Sequence, residues 1–216
     1  MARILIVDDH TLVRQGLREI LADGFAEAVF GEAGNVDEML GHLRGGQWDV
    51  IILDIGMPGR SGLDVLVDVG QLSPSTPVLI LTMYPESQYA LRAFRSGAAG
   101  YITKDAVAEE LLRAVQVLLE GGKYVSPPVA AFLVAQITAG EGKPSYEALS
   151  GREYEVFRAL VAGQSVTKIA QQLGLSSKTV STYRVRLYEK LGVKTLVELT
   201  RYAMEHGLIV PAPGRR

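Results

Sequence analysis

The chain has 216 residues, 48% of them apolar, with 22 Lys+Arg against 24 Asp+Glu and no cysteine, which is material for one large core or two modest ones and excludes disulfide and thiol chemistry. No apolar run reaches the roughly 18 to 20 residues needed to cross a bilayer, and acidic residues interrupt the N-terminus too early for a signal peptide, so a cytoplasmic protein with no membrane partner is expected. The net charge of −2 hides an asymmetry: residues 1–122 carry 9 Lys+Arg against 17 Asp+Glu (−8), residues 123–148 carry 2 against 2, and residues 149–216 carry 11 against 5 (+6), so the acidic and basic parts face different partners.

Through the first 120 residues short apolar runs alternate with amphipathic stretches, the pattern of a parallel sheet covered by helices on both faces. Strands are predicted near 3–7, 28–32, 49–53, 77–81 and 99–103. Helices are predicted near 11–22, 36–45, 62–71, 86–96 and 107–120, the last stopped by Gly121 and Gly122. Five such units make one α/β, doubly wound, five-stranded parallel domain over residues 1–122. Residues 123–148 read as a linker: "SPPVAAFLVAQITAG" opens with proline at a helix start and continues as one short apolar helix, and "GEGKPS" suits a flexible connector. From 149 to 216 the pattern is helical throughout. Ser150 followed by Glu153 forms a capping box, and Tyr154, Phe157, Leu160 and Val161 then share one face. Two further helices are predicted at about 166–173 and 177–190, joined through Gly174 and restarted by Ser176 as N-cap, and a last one at about 194–206.

In a doubly wound sheet, ligands bind beyond the carboxyl ends of the strands. The first strand ends at Asp8 and Asp9, the third at Asp54, the fourth at Thr82 and the fifth at Lys104. Three acids, one hydroxyl and one ammonium therefore converge from four strands. Two carboxylates at ~4 Å repel by roughly 4 kcal/mol at an effective dielectric of 20, so three together need a cation or a raised pKa. Mg²⁺ meets that need, since it favours oxygen ligands and commonly bridges carboxylates to phosphate. Lys104 and Thr82 are then placed to hold phosphoryl oxygens, and one carboxylate can act as the nucleophile of aspartyl-phosphate chemistry. The plainer reading of each aspartate alone is the N-cap of the following helix, but capping does not explain their common location.

The motifs "ILIVDDH", "VIILDIGMPGRSG", "LILT" and "GYITKD", in this order and spacing, resemble the CheY-like receiver domain of bacterial response regulators over residues 2 to about 120. The resemblance implies a strand order of 2-1-3-4-5 and a phosphoryl group accepted on Asp54 from the phosphohistidine of a sensor histidine kinase. It also implies Asp9 as a direct Mg²⁺ ligand, Asp8 acting largely through water, a further oxygen from the Gly56 carbonyl, and Thr82 with Tyr101 as the switch pair. Lys104 is followed by Asp105 where many receivers have proline.

Two helices joined by a tight turn, the second richer in base than acid, suggest a helix-turn-helix whose second member enters the major groove. On the 177–190 helix, Val180, Tyr183 or Arg184, Leu187 and Leu191 follow an inward stripe, leaving Ser181, Thr182, Val185 and Arg186 outward. A small helical bundle whose Lys and Arg merely keep it soluble is the plainer alternative. "LSGREYEVFRALVAGQSVTKIAQQLGLSSKTVSTYRVRLYEKLGV" resembles the LuxR-type four-helix DNA-binding domain over 149 to about 207 and, joined to a receiver, a response regulator of the NarL/FixJ family. That resemblance puts Lys178 and Thr179 near phosphates and the exposed face of the helix on bases. Tyr183, followed by Arg184, stands where many relatives have histidine. It further implies promoter DNA and RNA polymerase as partners and a homodimer on phosphorylation, with helix 194–206 as the contact; its Leu196, Leu199 and Ala203 serve either that contact or the domain's own core. The function read from the chain is thus phosphorylation-dependent transcriptional regulation, with no enzymatic activity beyond slow self-phosphorylation and self-hydrolysis. The alternatives are an aspartyl-phosphate phosphatase, disfavoured by Gly at position 56 where a general acid would stand, and a phospho-switched adaptor that binds RNA or protein.

Overall fold

The structure is a computed structural model describing residues 1–58, 60, 62–106, 108–138, 145–206 and 208. The chain divides into two compact units, Met1–Gly140 and Glu141–Arg216.

The first unit is built on β1 (Arg3–Val7), β2 (Val29–Ala33), β3 (Val50–Leu53), β4 (Val78–Thr82), β5 (Gly100–Thr103) and β6 (Tyr124–Val125). All pairings are parallel, in the order β2-β1-β3-β4-β5-β6. The doubly wound order expected from sequence is present, and a two-residue sixth strand extends it. That strand falls inside the stretch 123–148 read as a linker. The central strands are unbroken apolar runs because both faces are covered: every residue of β3 and β4 is buried. β2, at the edge, leaves Val29 42% exposed.

Helices α1 (Thr11–Gly24), α2 (Val36–Gly45), α3 (Gly62–Leu72), α4 (Glu86–Arg95), α5 (Ala108–Leu119) and α6 (Pro127–Thr138) complete the unit. Side chains alternate across the sheet, and on one face Ile4, Ile6, Val50, Ile52 and Leu79 pack with Leu17 and Leu21 of α1 and with Leu111, Val115 and Leu118 of α5. Helices α2, α3 and α4 contact one another in turn on the other face. Close approach there requires glycine at 62, since a Cβ at that position would lie 2.5 Å from the Cα of Ile55. Pro127 starts α6 as the sequence suggested, and this helix packs on α4 within the first unit. The connector predicted at "GEGKPS" lies largely outside the described residues.

The second unit is helical. After a 3₁₀ turn at Ser145–Ala148 come α7 (Gly151–Val161), α8 (Val166–Leu173), α9 (Ser177–Leu191) and α10 (Leu196–Glu205). Each start is fixed by a hydroxyl N-cap: Ser150, Ser165, Ser176 and Thr195 accept the amides of Glu153, Lys168, Thr179 and Glu198. Ser150 and Glu153 form the predicted capping box. Gly174 and Gly192 end α8 and α9 in the left-handed region, at φ 63° and 67°, where a Cβ is disfavoured. Tyr154, Phe157, Leu160, Ile169, Val180, Leu187, Leu191, Leu199 and Ala203 are buried. Among the described residues no helix is long and apolar enough to cross a membrane.

Candidate functional site

β1 and β3 are neighbours in register, with Val7 opposite Leu53, so the residues that follow them leave the sheet side by side. Asp8 and Asp54 are 1% and 5% exposed. Each turns one carboxylate oxygen back onto the amide two residues on, Asp8 Oδ1 accepting from His10 at 2.8 Å and Asp54 Oδ1 from Gly56 at 2.7 Å. The same local turn thus orients both acids, and each presents its second oxygen to one cation. Lys104 Nζ, delivered from the end of β5, lies 2.5 Å from Asp8 Oδ2 and 2.5 Å from Asp54 Oδ2. Burial pushes the Lys104 ammonium down, but its hydrogen bonds to Asp54 and Asp8 outweigh burial and hold its pKa above the ordinary lysine value. The N-cap of α1 is His10, so capping does not account for Asp8 or Asp9.

Thr82 ends β4 and is 1% exposed. Its hydroxyl has no hydrogen-bond partner among the described residues, which leaves it free to engage a group bound beside it. Tyr101, on the adjacent β5, is fully buried and donates its hydroxyl to the Tyr84 carbonyl at 2.8 Å, two residues beyond Thr82. Gly56 is exposed, and the contact observed there is made by its amide. A Cβ at 56 would stand 3.2 Å from Asp54 Oδ1, a tight contact that glycine avoids.

Asp8, Asp9, His10 and Asp54 each bring one ligand atom within 4.8 Å of the others. Three carboxylates with ligand oxygens this close together suit a hard divalent cation, so the residues present fit Mg²⁺. Reasoning from sequence missed two members of this neighbourhood. His10 Nδ1 lies 2.9 Å from Asp9 Oδ1 and 3.2 Å from Asp8 Oδ1; its adjacency to the acid pair was the available signal. Arg14, one turn into α1, donates from Nη1 to the Asp8 carbonyl at 2.6 Å while its Nε reaches Glu32 at 3.4 Å. No spacing rule pointed to that contact.

In the second unit, α9 buries Val180, Leu187 and Leu191. Lys178, Thr182, Val185 and Arg186 are exposed, and Thr179, Ser181, Tyr183 and Arg184 are half-buried. The alternative between Tyr183 and Arg184 for the inward stripe resolves to neither, since both stay at the margin. Thr179 is engaged at the helix start, with its amide and its hydroxyl 3.0 and 2.8 Å from the Ser176 hydroxyl. Lys168 on α8 is a further exposed cation. On α10, Leu199 and Ala203 belong to the core, whereas Leu196 is 44% exposed.

Residues 4–116 match the family model described as the response regulator receiver domain, and residues 147–203 match that of bacterial regulatory proteins of the luxR family. The chain is 37% identical over 209 residues to the response regulator GacA of Pseudomonas protegens, covering 97% of this chain and 98% of that protein. It is 34% identical to the response regulator UvrY of Escherichia coli, covering 96% of each. Among solved structures, RcsB from Salmonella enterica serovar Typhimurium, bound to promoter P1flhDC in the presence of the phosphomimetic BeF₃⁻, matches with a TM-score of 0.62 at 27% identity, over 94% of this chain and 98% of that one. With two family models in series and relatives matched along nearly their whole length, the chain belongs to the NarL/FixJ-type response regulators, in which a receiver domain precedes a LuxR-type helix-turn-helix DNA-binding domain.

Proposed function

We propose that the protein is a transcription regulator switched by a phosphoryl group on Asp54, donated by the phosphohistidine of a sensor histidine kinase, and that its modified form binds promoter DNA as a dimer. The observation that carries this reading is a buried carboxylate held against a half-buried ammonium and near an orphaned hydroxyl: Asp54, Lys104 and Thr82.

Asp54 is the nucleophile because it lies at the end of a central strand, 5% exposed, with Oδ1 fixed by the Gly56 amide. Bound Mg²⁺, held by Asp8, Asp9, Asp54 and the Gly56 carbonyl, would neutralise charge on the phosphoryl oxygens. Lys104, already balanced between two carboxylates, serves one phosphoryl oxygen, and Thr82 donates its free hydroxyl to another. Tyr101 stands behind this movement with its hydroxyl on the Tyr84 carbonyl, so a shift of the segment after β4 is felt at the aromatic ring. The added charge biases a two-state receiver. Chemistry of the chain's own is limited to slow self-phosphorylation from small phosphodonors and slow self-hydrolysis.

Dimerisation would set two α9 helices about one turn of DNA apart, ~34 Å. Leu196, Val197 and Met204 on α10 are 44%, 79% and 44% exposed and supply an apolar contact; RNA polymerase is the further partner at the promoter. The test is selection of duplexes from random DNA by the full chain with and without acetyl phosphate and Mg²⁺. Tighter binding of the enriched duplex by phosphorylated protein is expected, and Asp54→Asn should erase the difference. An equal affinity in both states of the wild type would overturn the switch.

A further inference from the structure

The DNA-facing side of α9 has a chemical character that its basic surroundings conceal. At 100° per residue, positions 178, 181, 182 and 185 fall within an arc of about 100°, opposite the buried Val180, Leu187 and Leu191. Val185 lies within this arc and is 53% exposed, whereas those three buried residues are at most 7% exposed. On the face that the helix-turn-helix reading turns toward the major groove, this β-branched side chain is placed to meet an apolar group on a base edge.

The polar groups beside it narrow that partner. Ser181 donates its hydroxyl to the Ser177 carbonyl at 2.9 Å, and Thr182 donates to the Lys178 carbonyl at 3.1 Å. With their hydroxyls hydrogen-bonded to the helix backbone, both oxygens keep their capacity to accept, and Thr182 adds a methyl group. Between Lys178 and Arg186 the arc therefore offers acceptors and methyls. In the major groove, guanine presents two acceptors, which among these four side chains only Lys178 could satisfy; with Lys178 on a phosphate, Ser181, Thr182 and Val185 offer guanine no charged donor. An A·T pair presents the adenine N6 amino donor and the thymine C5-methyl, which those three side chains do satisfy.

Resting on the DNA-binding reading above, we propose that Val185 is a specificity-determining residue that packs on the C5-methyl of a thymine in each half-site, with Ser181 and Thr182 accepting from an adenine amino group nearby. The exposed Lys168, Lys178 and Arg186 hold the duplex by its phosphates and carry affinity without sequence preference. Specificity here comes from a methyl and two acceptors.

Replacing thymine by uracil removes only that methyl. The full chain, phosphorylated, is titrated with the duplex enriched by selection and with versions in which each thymine in turn is uracil. One position per half-site should weaken binding about fourfold, the value of one buried methyl group. Val185→Ala should bind the thymine duplex about as weakly as the wild type binds that uracil duplex, and should no longer distinguish the two. Val185→Thr, which keeps one methyl and the branched shape, should retain part of the distinction. Discrimination of less than 1.5-fold at every thymine, or a Val185→Ala protein that still prefers thymine, would overturn the proposal. A chain that binds neither duplex would instead refute the DNA-binding reading on which it rests.

Discussion

Lys104→Met isolates the electrostatic argument for the acidic pocket. Each facing oxygen of Asp8 and Asp54 is 2.5 Å from Nζ, so the two oxygens are at most 5.0 Å apart, twice that distance. At 5 Å and an effective dielectric of 20, two bare carboxylates repel by about 3 kcal/mol. Breaking a buried ion pair from one side costs about 3 to 5 kcal/mol in general, and methionine keeps most of the lysine stem's packing. The variant should therefore lose about 3 kcal/mol at neutral pH in the presence of chelator. Trp48 is the single tryptophan, 7% exposed and inside the first unit, so its fluorescence in a urea titration reads this unit alone. Millimolar Mg²⁺ should restore most of the loss by supplying the missing positive charge. Lys104 also shapes the alkaline limb of stability. Lys104 titrates above its ordinary 10.5, so its contribution is complete below that pH and is lost as pH rises through the raised value; the variant should lack this alkaline limb. A loss below 1 kcal/mol, or one that Mg²⁺ leaves unchanged, would refute the claim that the ammonium holds two mutually repelling acids.

Three further outcomes follow from the same geometry. Burial pushes the Glu153 carboxyl up, but the Lys190 ammonium at 2.6 Å and the Ser150 amide outweigh it and hold its pKa low; stability from this group is present above 4.5 and lost as pH falls through the lowered value. Lys190→Met should accordingly flatten the acid limb of a circular-dichroism titration, at a cost of about 1 kcal/mol, since the lysine is 41% exposed and screened. Gly62→Ala places a Cβ 2.5 Å from the Ile55 backbone and should cost about 1 to 3 kcal/mol by urea titration, with slower phosphorylation of the neighbouring Asp54. Arg186→Ala should weaken binding to duplex DNA and reduce the slope of log K against log salt by about 1, as read by fluorescence anisotropy; an unchanged slope would remove this residue from the interface.

The site was legible because its residues follow strands whose identity the apolar runs declare. "ILIV" and "VIIL" each end in aspartate, and parallel pairing then brings Asp8 and Asp54 together without further information. The helical unit was legible from its caps, since Ser150, Ser176 and Gly174 mark boundaries by mechanisms that need no tertiary context. β6 was not: Tyr124 and Val125 make a strand too short for any alternation to register, and their pairing with Gly100 and Tyr101 depends on a neighbour about 24 residues back. α6 is apolar around most of its circumference, so its sequence does not say that it packs on α4. His10 and Arg14 act through the backbone and charge of the loop they adjoin, contacts fixed by loop conformation and not by periodicity. Leu199 and Ala203 were ambiguous because a dimer face and a core face carry the same residue types.

The proposed switch requires Asp54 to take up and store a phosphoryl group. Intact mass spectrometry of the full chain after incubation with acetyl phosphate and Mg²⁺ measures it directly. The wild type should gain the mass of one phosphoryl group, labile to hydroxylamine as an acyl phosphate is, and Asp54→Asn should gain none. Uptake by the variant, or no uptake by the wild type at saturating phosphodonor and metal, would contradict the account.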